Sequence, residues 1–286
     1  MRHCKADRGN YNFALNFKNM AIRWIILLLL IISGQIANGQ IVSSSCLGPD
    51  SVIEKYKDDA QRLALRRILL NQLTYKDSIK ISRPLSDTVL NALIAVYNST
   101  SLPSRDTVIA KFFIHSFPDI VMNNIILVVD SNLSWMQQLK NGIIPTGNFT
   151  VDKLIANYYL RIDSYNTFSF PYNCHTVTFK SDSNYNLPPL ANLFDTISGV
   201  YSSKANSVIG DGNNIQDSIY ADHVELIYSV GWGDCPSSCI SRRYWKFNVD
   251  FNCLVDYKGS YGKSVPLTAI RENNIESISV SPNPFN

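Results

Sequence analysis

The sequence predicts an α+β fold, and three observations carry that reading. Residues 51–97 bear apolar side chains at helical intervals. From residue 107, short runs of β-branched and aromatic residues alternate with short amphipathic stretches. Residues 222–262 read as three antiparallel strands, with a loop between Cys235 and Cys239 at the first turn. The chain has 286 residues, 45% of them hydrophobic, which is enough for one sizeable core or two small ones. A net charge of +3 with mixed signs is too weak a bias for a nucleic-acid partner.

In chain order, residues 40–49 read as a flexible leader. Ser51 and Glu54 have the spacing of a capping box, so a helix is predicted from Ser51, with Ile53, Tyr56, Ala60, Leu63 and Leu70 on one side. Pro84 ends the next link, and Ser86 or Asp87 caps a second helix carrying Leu90, Leu93, Ile94 and Tyr97. Residues 98–106 form a polar, turn-rich linker. Residues 107–117 and 123–130 are predicted strands. Ser131 or Asn132 caps a short helix that stops at Asn141-Gly142. Then come a helix over 150–159, strands over 160–170 and 175–180, a short helix over 189–194, an extended stretch over 199–208 and a turn at 211–214. From Asn124 the order β, α, β, β, α, β is that of a ferredoxin-like split unit. The predicted architecture is therefore a single domain over 50–265. N-terminal helices pack on a ferredoxin-like antiparallel sheet with its own helices, and a C-terminal disulfide-closed β-meander follows.

Alternation sets the meander's faces. Pairing Val230 with Trp245, Tyr228 with Phe247, Leu226 with Val249 and Val224 with Phe251 makes one face continuously apolar. Trp245 and Phe247 then belong to the core, while His223, Glu225, Arg242, Tyr244 and Lys246 take the other face. Trp232, Asp234, Arg242, Arg243 and Tyr244 lie near the loop tip, where aromatic and guanidinium groups suit a glycan or peptide contact. The plainer reading is a solvated rim around a structural loop. Cys235 and Cys239 are near enough to bridge; the CxxxC spacing is not that of a CxxC redox pair.

No motif in the chain announces a reaction. His115, His175 and His223 fall outside any HExxH or CxxC pattern, so no metal site is expected. Cys174 and His175 are adjacent on a predicted strand and point to opposite faces, which disfavours a Cys–His nucleophile. Residues 210–214, GDGNN, lack the acidic pattern and closing Glu of an EF-hand loop and read as a turn. No cofactor is expected.

The two ends carry an address. Arg23 precedes an apolar run over 24–32 and the small-residue site Ala37-Asn38-Gly39, with cleavage between Gly39 and Gln40. Residues 1–39 thus read as a secretory signal peptide, shorter in its apolar run than the ~20 residues of a membrane span. Met20 as the true start is a hypothesis that a precursor beginning at Met1 would sink. Six cysteines include Cys4 in the leader, so Cys46, Cys174, Cys235, Cys239 and Cys253 remain, an odd set with at least one unpaired thiol in a monomer.

At the other end, residues 266–277 read as a linker. Residues 276–286, ESISVSPNPFN, alternate Ile278 and Val280 before Pro282-Asn283-Pro284. This resembles the opening of the C-terminal sorting domain of type IX secretion cargo, with 278–286 as its truncated start. The resemblance implies export through the type IX machinery to the surface or exterior of a Gram-negative cell, or a periplasmic location if the sorting domain is absent. Asp followed by Ser or Thr and an aliphatic residue recurs at Ser51, Ser78, Thr88, Thr107, Thr196 and Ser218. It resembles the O-glycosylation sequon of bacteria with that pathway. WGDCPSSC, residues 232–239, resembles a segment of uncharacterised exported proteins of the same class. Residues 190–206 resemble the helix-then-strand half of subtilase propeptides. The functional expectation is a secreted or cell-surface binding or structural protein for a surface glycan or protein ligand. The alternatives are a secreted hydrolase without a recognisable motif and a protease-inhibitor or propeptide-like module.

Overall fold

A computed structural model describes residues 40–168 and 174–266. The leader, Gly39 at its cleavage site, the linker beyond Val265-Pro266 and Pro282-Asn283-Pro284 lie outside the described residues. The protein is α+β, with two antiparallel sheets. The first sheet is built from β1 (Gln40–Ser43), β6 (Asn214–Ile219), β7 (His223–Trp232), β8 (Ser241–Asp250) and β9 (Leu254–Gly262) in the order β1-β9-β8-β7-β6. The second contains β2 (Asn124–Asp130), β3 (Leu160–Phe168), β4 (Cys174–Ser181) and β5 (Val200–Ala205) in the order β3-β4-β2-β5.

The second sheet has the ferredoxin-like arrangement expected from the element order. Taken as first to fourth strand, β2 to β5 lie 2-3-1-4, each pair antiparallel. Its helices, α4 (Ser134–Lys140), α5 (Phe149–Asn157) and α6 (Leu187–Asp195), come from the segments where the sequence predicts them. Caps move slightly. Ser134 opens α4, while Asp130 Oδ1 accepts from the Asn132 N–H; Asn148 caps α5 through the Thr150 and Val151 N–H groups. Trp135, Met136, Leu139, Val151, Leu154, Leu190 and Phe194 bury one face of the sheet against Leu127, Val177 and Phe179. Phe179 stacks on Phe194 at 5.7 Å.

The N-terminal helices pack elsewhere than expected. α1 (Asp50–Leu70) and α2 (Arg83–Asn98) cover the meander sheet instead of the ferredoxin-like one. Tyr56, Ala60, Leu63, Val89, Leu93 and Val96 meet Leu226, Tyr228, Val230, Trp245, Phe247 and Val255 in one cluster. The reason lies in an omission of the sequence reading. The meander is not three strands but the centre of five, flanked by the short polar β6 and by β1. A sheet of that width needs a cover of two long helices. The residues expected as a flexible leader instead pair as β1 with β9, Gln40 against Tyr257 and Ser43 against Leu254. Cys46 is joined to Cys253, and the Ser44 hydroxyl donates to the Ala95 carbonyl at 2.6 Å.

Three local expectations are corrected. α1 starts at Asp50 after Pro49 with no side-chain cap, so Ser51 and Glu54 do not form a capping box. Ser82, not Ser86 or Asp87, is the N-cap of α2, and Pro84 sits in its first turn. Residues 107–117 are not a strand. Pro103–Arg105, labelled α3, runs into a π-type turn over Asp106–Lys111, and Val108, Ile109 and Phe112 are buried at helical spacing. The β-branched composition is overridden by burial beneath Trp245, which lies 5.6 Å from Phe112.

The meander register is also displaced by two residues. Val230 lies opposite Arg243, Tyr228 opposite Trp245, Leu226 opposite Phe247 and Val224 opposite Val249. A two-residue slip leaves every side chain on its predicted face, because the side-chain period of a strand is two. Trp245 and Phe247 are accordingly buried.

Candidate functional site

The loop tip is built around one carboxylate. Asp211 sits in the turn before β6. Its Oδ2 accepts from the Cys239 N–H at 3.1 Å, its Oδ1 pairs with the Arg242 guanidinium, and its own N–H donates to the Cys235 carbonyl at 2.8 Å. Arg242 Nη1 also donates to Ser229 Oγ at 3.0 Å. The Cys235–Cys239 bridge closes the loop beneath this network. A side chain at Gly231 would place its Cβ 2.9 Å from the Cys239 Cβ, so glycine is required there for the loop to fold back on β7. Burial pushes the Asp211 carboxyl up, but Arg242 and the Cys239 and Gly212 N–H groups outweigh it and hold it below the ordinary 3.8.

That depressed value sets a pH dependence. The stabilisation is present above pH 3.8 and is lost as pH falls through the folded-state value. Hydrogen exchange at the Cys239 amide, corrected for intrinsic rates, is expected to lose protection between pH 6 and about pH 3. In Asp211→Asn the protection is lower and flat with pH. Equal protection at both pH values in the wild type would contradict this.

The tip residues singled out from sequence do not form one rim. Arg242 and Tyr244 lie on the face away from the helices. Arg243 and Trp232 lie on the other, where Trp232 packs on the core and Arg243 donates to the Gly262 carbonyl at 3.0 Å and to Ser260 Oγ at 2.5 Å. Asp234 is exposed, and its carbonyl accepts from the Ser237 and Ser238 N–H groups. Three further charged groups near this face are engaged separately: His223 with Asp222, Glu225 with Lys246, Arg242 with Asp211.

The open face of the five-stranded sheet does carry an aromatic strip. Tyr244 and Tyr261 are register partners whose rings stack at 4.7 Å and 11°. Tyr220 stacks on His223 at 4.7 Å, and Lys246 reaches Glu225 at 2.5 Å between the two stacks. Lys246 is held above its ordinary value by that carboxylate. Tyr220 and Tyr261 are each about half exposed.

Comparison with protein-family models, curated proteins and solved structures returned no match. Two features escaped the sequence reading. One is a buried carboxylate, Asp59 on α1, which takes His115 Nδ1 at 2.5 Å, the Ser116 N–H at 2.9 Å and the Ser116 hydroxyl at 2.7 Å. His115 stacks on Tyr56 at 5.4 Å. These residues are 56 and 57 positions apart in sequence, and no motif joins them. The other is a cleft of about 400 Å³ between the end of α1 and the edge strand β6, lined by Arg66, Arg67, Leu70, Asn71, Gln216, Asp217, Ser218 and Ile227. Among the described residues, no group of three or more His, Cys, Asp or Glu is placed to hold a metal ion, and no helix is long and apolar enough to cross a membrane.

Proposed function

We propose that this domain acts outside the cytoplasm as a binding or structural module, exported by its leader and by type IX secretion. Its ligand is a surface glycan or a protein, held on the open face of the five-stranded sheet. The observation that carries the binding reading is the Tyr244–Tyr261 stack, an aromatic pair beside the Lys246–Glu225 pair on a face opposite the covering helices. Stacked aromatic pairs of this kind are common anchors in recognition surfaces. Two disulfides suit an oxidising compartment, outside the cell or in the periplasm. Of the sequon hydroxyls, Ser51 and Thr196 are the exposed ones and the best acceptors for glycan; an intact mass equal to the bare chain from Gln40 would exclude modification.

The double variant Tyr244→Ala/Tyr261→Ala is expected to lose binding to a glycan array or to intact cell-surface protein by about tenfold or more. Its melting temperature should fall by only a few degrees, because both rings lie outside the core. Unchanged binding would remove the platform from the reading.

A second reading, an inhibitor or propeptide-like module, has one observation in its favour. β5 is an edge strand of the ferredoxin-like sheet, and Tyr201 on it is 61% exposed. A free edge can accept an added strand from a partner. Failure to inhibit a subtilisin-type protease at micromolar concentration would remove this reading.

A further inference from the structure

The row of inward side chains on β4 ends in a histidine. Phe179, Val177 and His175 alternate along the strand on the face that the helices of the ferredoxin-like unit cover. His175 lies in register between Val129 of β2 and Thr167 of β3, and it is 3% exposed. Its ring is 4.8 Å from that of Tyr165 on the edge strand β3. Among the described residues neither ring nitrogen has a hydrogen-bond partner, and neither has the Tyr165 hydroxyl. A buried polar group without a partner costs stability, and a buried charge without one costs far more. The position therefore accommodates the neutral imidazole and penalises the imidazolium.

The charges that reach the ring do not reverse this. Burial pushes the His175 imidazole below its ordinary 6.5, and the Lys140 ammonium on α4 adds to the push. Lys140 Nζ stands 5.5 Å over the Tyr165 ring. The Ser131 carbonyl and Asp130, at the end of β2, oppose it, and both are engaged elsewhere. The Ser131 carbonyl accepts from Gln137 Nε2 at 2.6 Å; Asp130 Oδ1 accepts from the Asn132 N–H and side-chain amide at 2.8 and 3.1 Å. Tyr165, whose phenol burial holds above the ordinary 10.0, offers no counter-charge. The ladder around His175 is also near its limit. Thr167–His175 and Phe168–Cys174 are the two pairs at the hairpin end of β3 and β4, and β3 has a neighbour on one side only. An imidazolium reaches water at least cost by parting these pairs, with the rest of the sheet intact. Cys174, adjacent and on the opposite face, is a free thiol and 8% exposed.

We propose that His175 makes the hairpin end of β3 and β4 open in mild acid: protonation of the buried imidazole parts the Thr167–His175 and Phe168–Cys174 pairs and uncovers the Cys174 thiol. The sign follows from which state holds the proton. Below pH 6.5 the opened end binds a proton that the closed end rejects, so closure weakens as pH falls under that value and is unaffected above it. The device does not depend on either binding reading above.

The test is hydrogen exchange and thiol labelling of the whole secreted chain at about pH 7.5 and about pH 5. Protection of the amides of residues 166–168 and 174–176, corrected for intrinsic rates, should fall about threefold or more at the lower pH. Labelling of Cys174 by 4,4′-dithiodipyridine, normalised to glutathione at the same pH and located by peptide mapping, should rise by a similar factor. His175→Phe keeps an aromatic ring against Tyr165 and should make both readouts flat with pH. Lys140→Glu, at an exposed position, gives the imidazolium an opposite charge and should shrink both changes. It leaves the core untouched, so it decides the matter even where His175→Phe unfolds the unit. Equal protection and equal labelling at both pH values in the wild type overturn the proposal. So does an undiminished change in His175→Phe or in Lys140→Glu.

Discussion

Replacing Cys46 and Cys253 together by serine is expected to cost about 5 kcal/mol of folding stability, by the chain-entropy relation for loop closure. The two residues are 207 positions apart, so the bridge removes the freedom of nearly the whole described chain in the unfolded state. In the native state the N-terminal segment is held by four β1 residues paired with β9, by Val42 on the core, by the Ser44 hydrogen bond, and by the Asn98 amide, which donates to the Ser45 and Leu47 carbonyls. The Cys235–Cys239 bridge is the internal control. Its separation is 4, and the same relation gives about 2 kcal/mol for its double serine variant. Both substitutions must be double, because a lone thiol at 46 or 253 could exchange with the buried Cys174. Urea unfolding of the two variants measures the contrast. Equal losses, or a smaller loss for the long bridge, would show that unfolded-state entropy is not what the clasp contributes.

The same pair shows where sequence reasoning stops. An odd set of cysteines leaves the partners of Cys46, Cys174 and Cys253 open, and only packing decides that Cys174 stays a free, buried thiol. The ferredoxin-like unit was legible because each of its strands and helices carries its own period and its own stops, such as Asn141-Gly142. β6 was not, since NIQDSI is short and its inward Asp217 looks like a surface residue until Arg67 is placed beside it. The meander's faces were legible and its register was not, because alternation is blind to a shift of two. The tip cluster was half legible. Tyr244 does stand on a candidate surface, but its stacking partner Tyr261 lies on β9, and adjacency in sequence wrongly joined it to Arg243 on the opposite face. The misread stretch from Thr107 has strand composition, and only the burial of Val108, Ile109 and Phe112 against the meander makes it helical.

Asp59→Ala is expected to cost about 3–5 kcal/mol, which is the usual loss when one partner of a buried charged network is removed. Asp59, Arg62 and Arg66 are spaced three and four apart, so they share one face of α1. That face clamps residues 115–120, the segment that leads from the helical half to β2. Asp59 takes His115 and Ser116; Arg62 donates to Ser116 Oγ at 2.7 Å and to the Ile120 carbonyl at 3.3 Å; Arg66 reaches the Phe117 carbonyl at 3.3 Å and Asp119. Burial pushes the Arg62 guanidinium below its usual value while Asp59 opposes that most strongly, so removing the carboxylate leaves a desolvated cation with only the weaker opposing charges of Asp58 and Asp119. The Ser116 N–H is orphaned at the same time, adding the cost of an unmade buried hydrogen bond. Asp59→Asn separates the two contributions. Its amide oxygen still accepts from Ser116, but it has no charge for Arg62, so its loss should be about half that of the alanine variant. Arg62→Ala in the Asp59→Ala background should then cost less than Arg62→Ala alone, since the pairing with Asp59 is already gone. Additive losses in that double variant would mean that Asp59 and Arg62 act independently and that the clamp is not a single network.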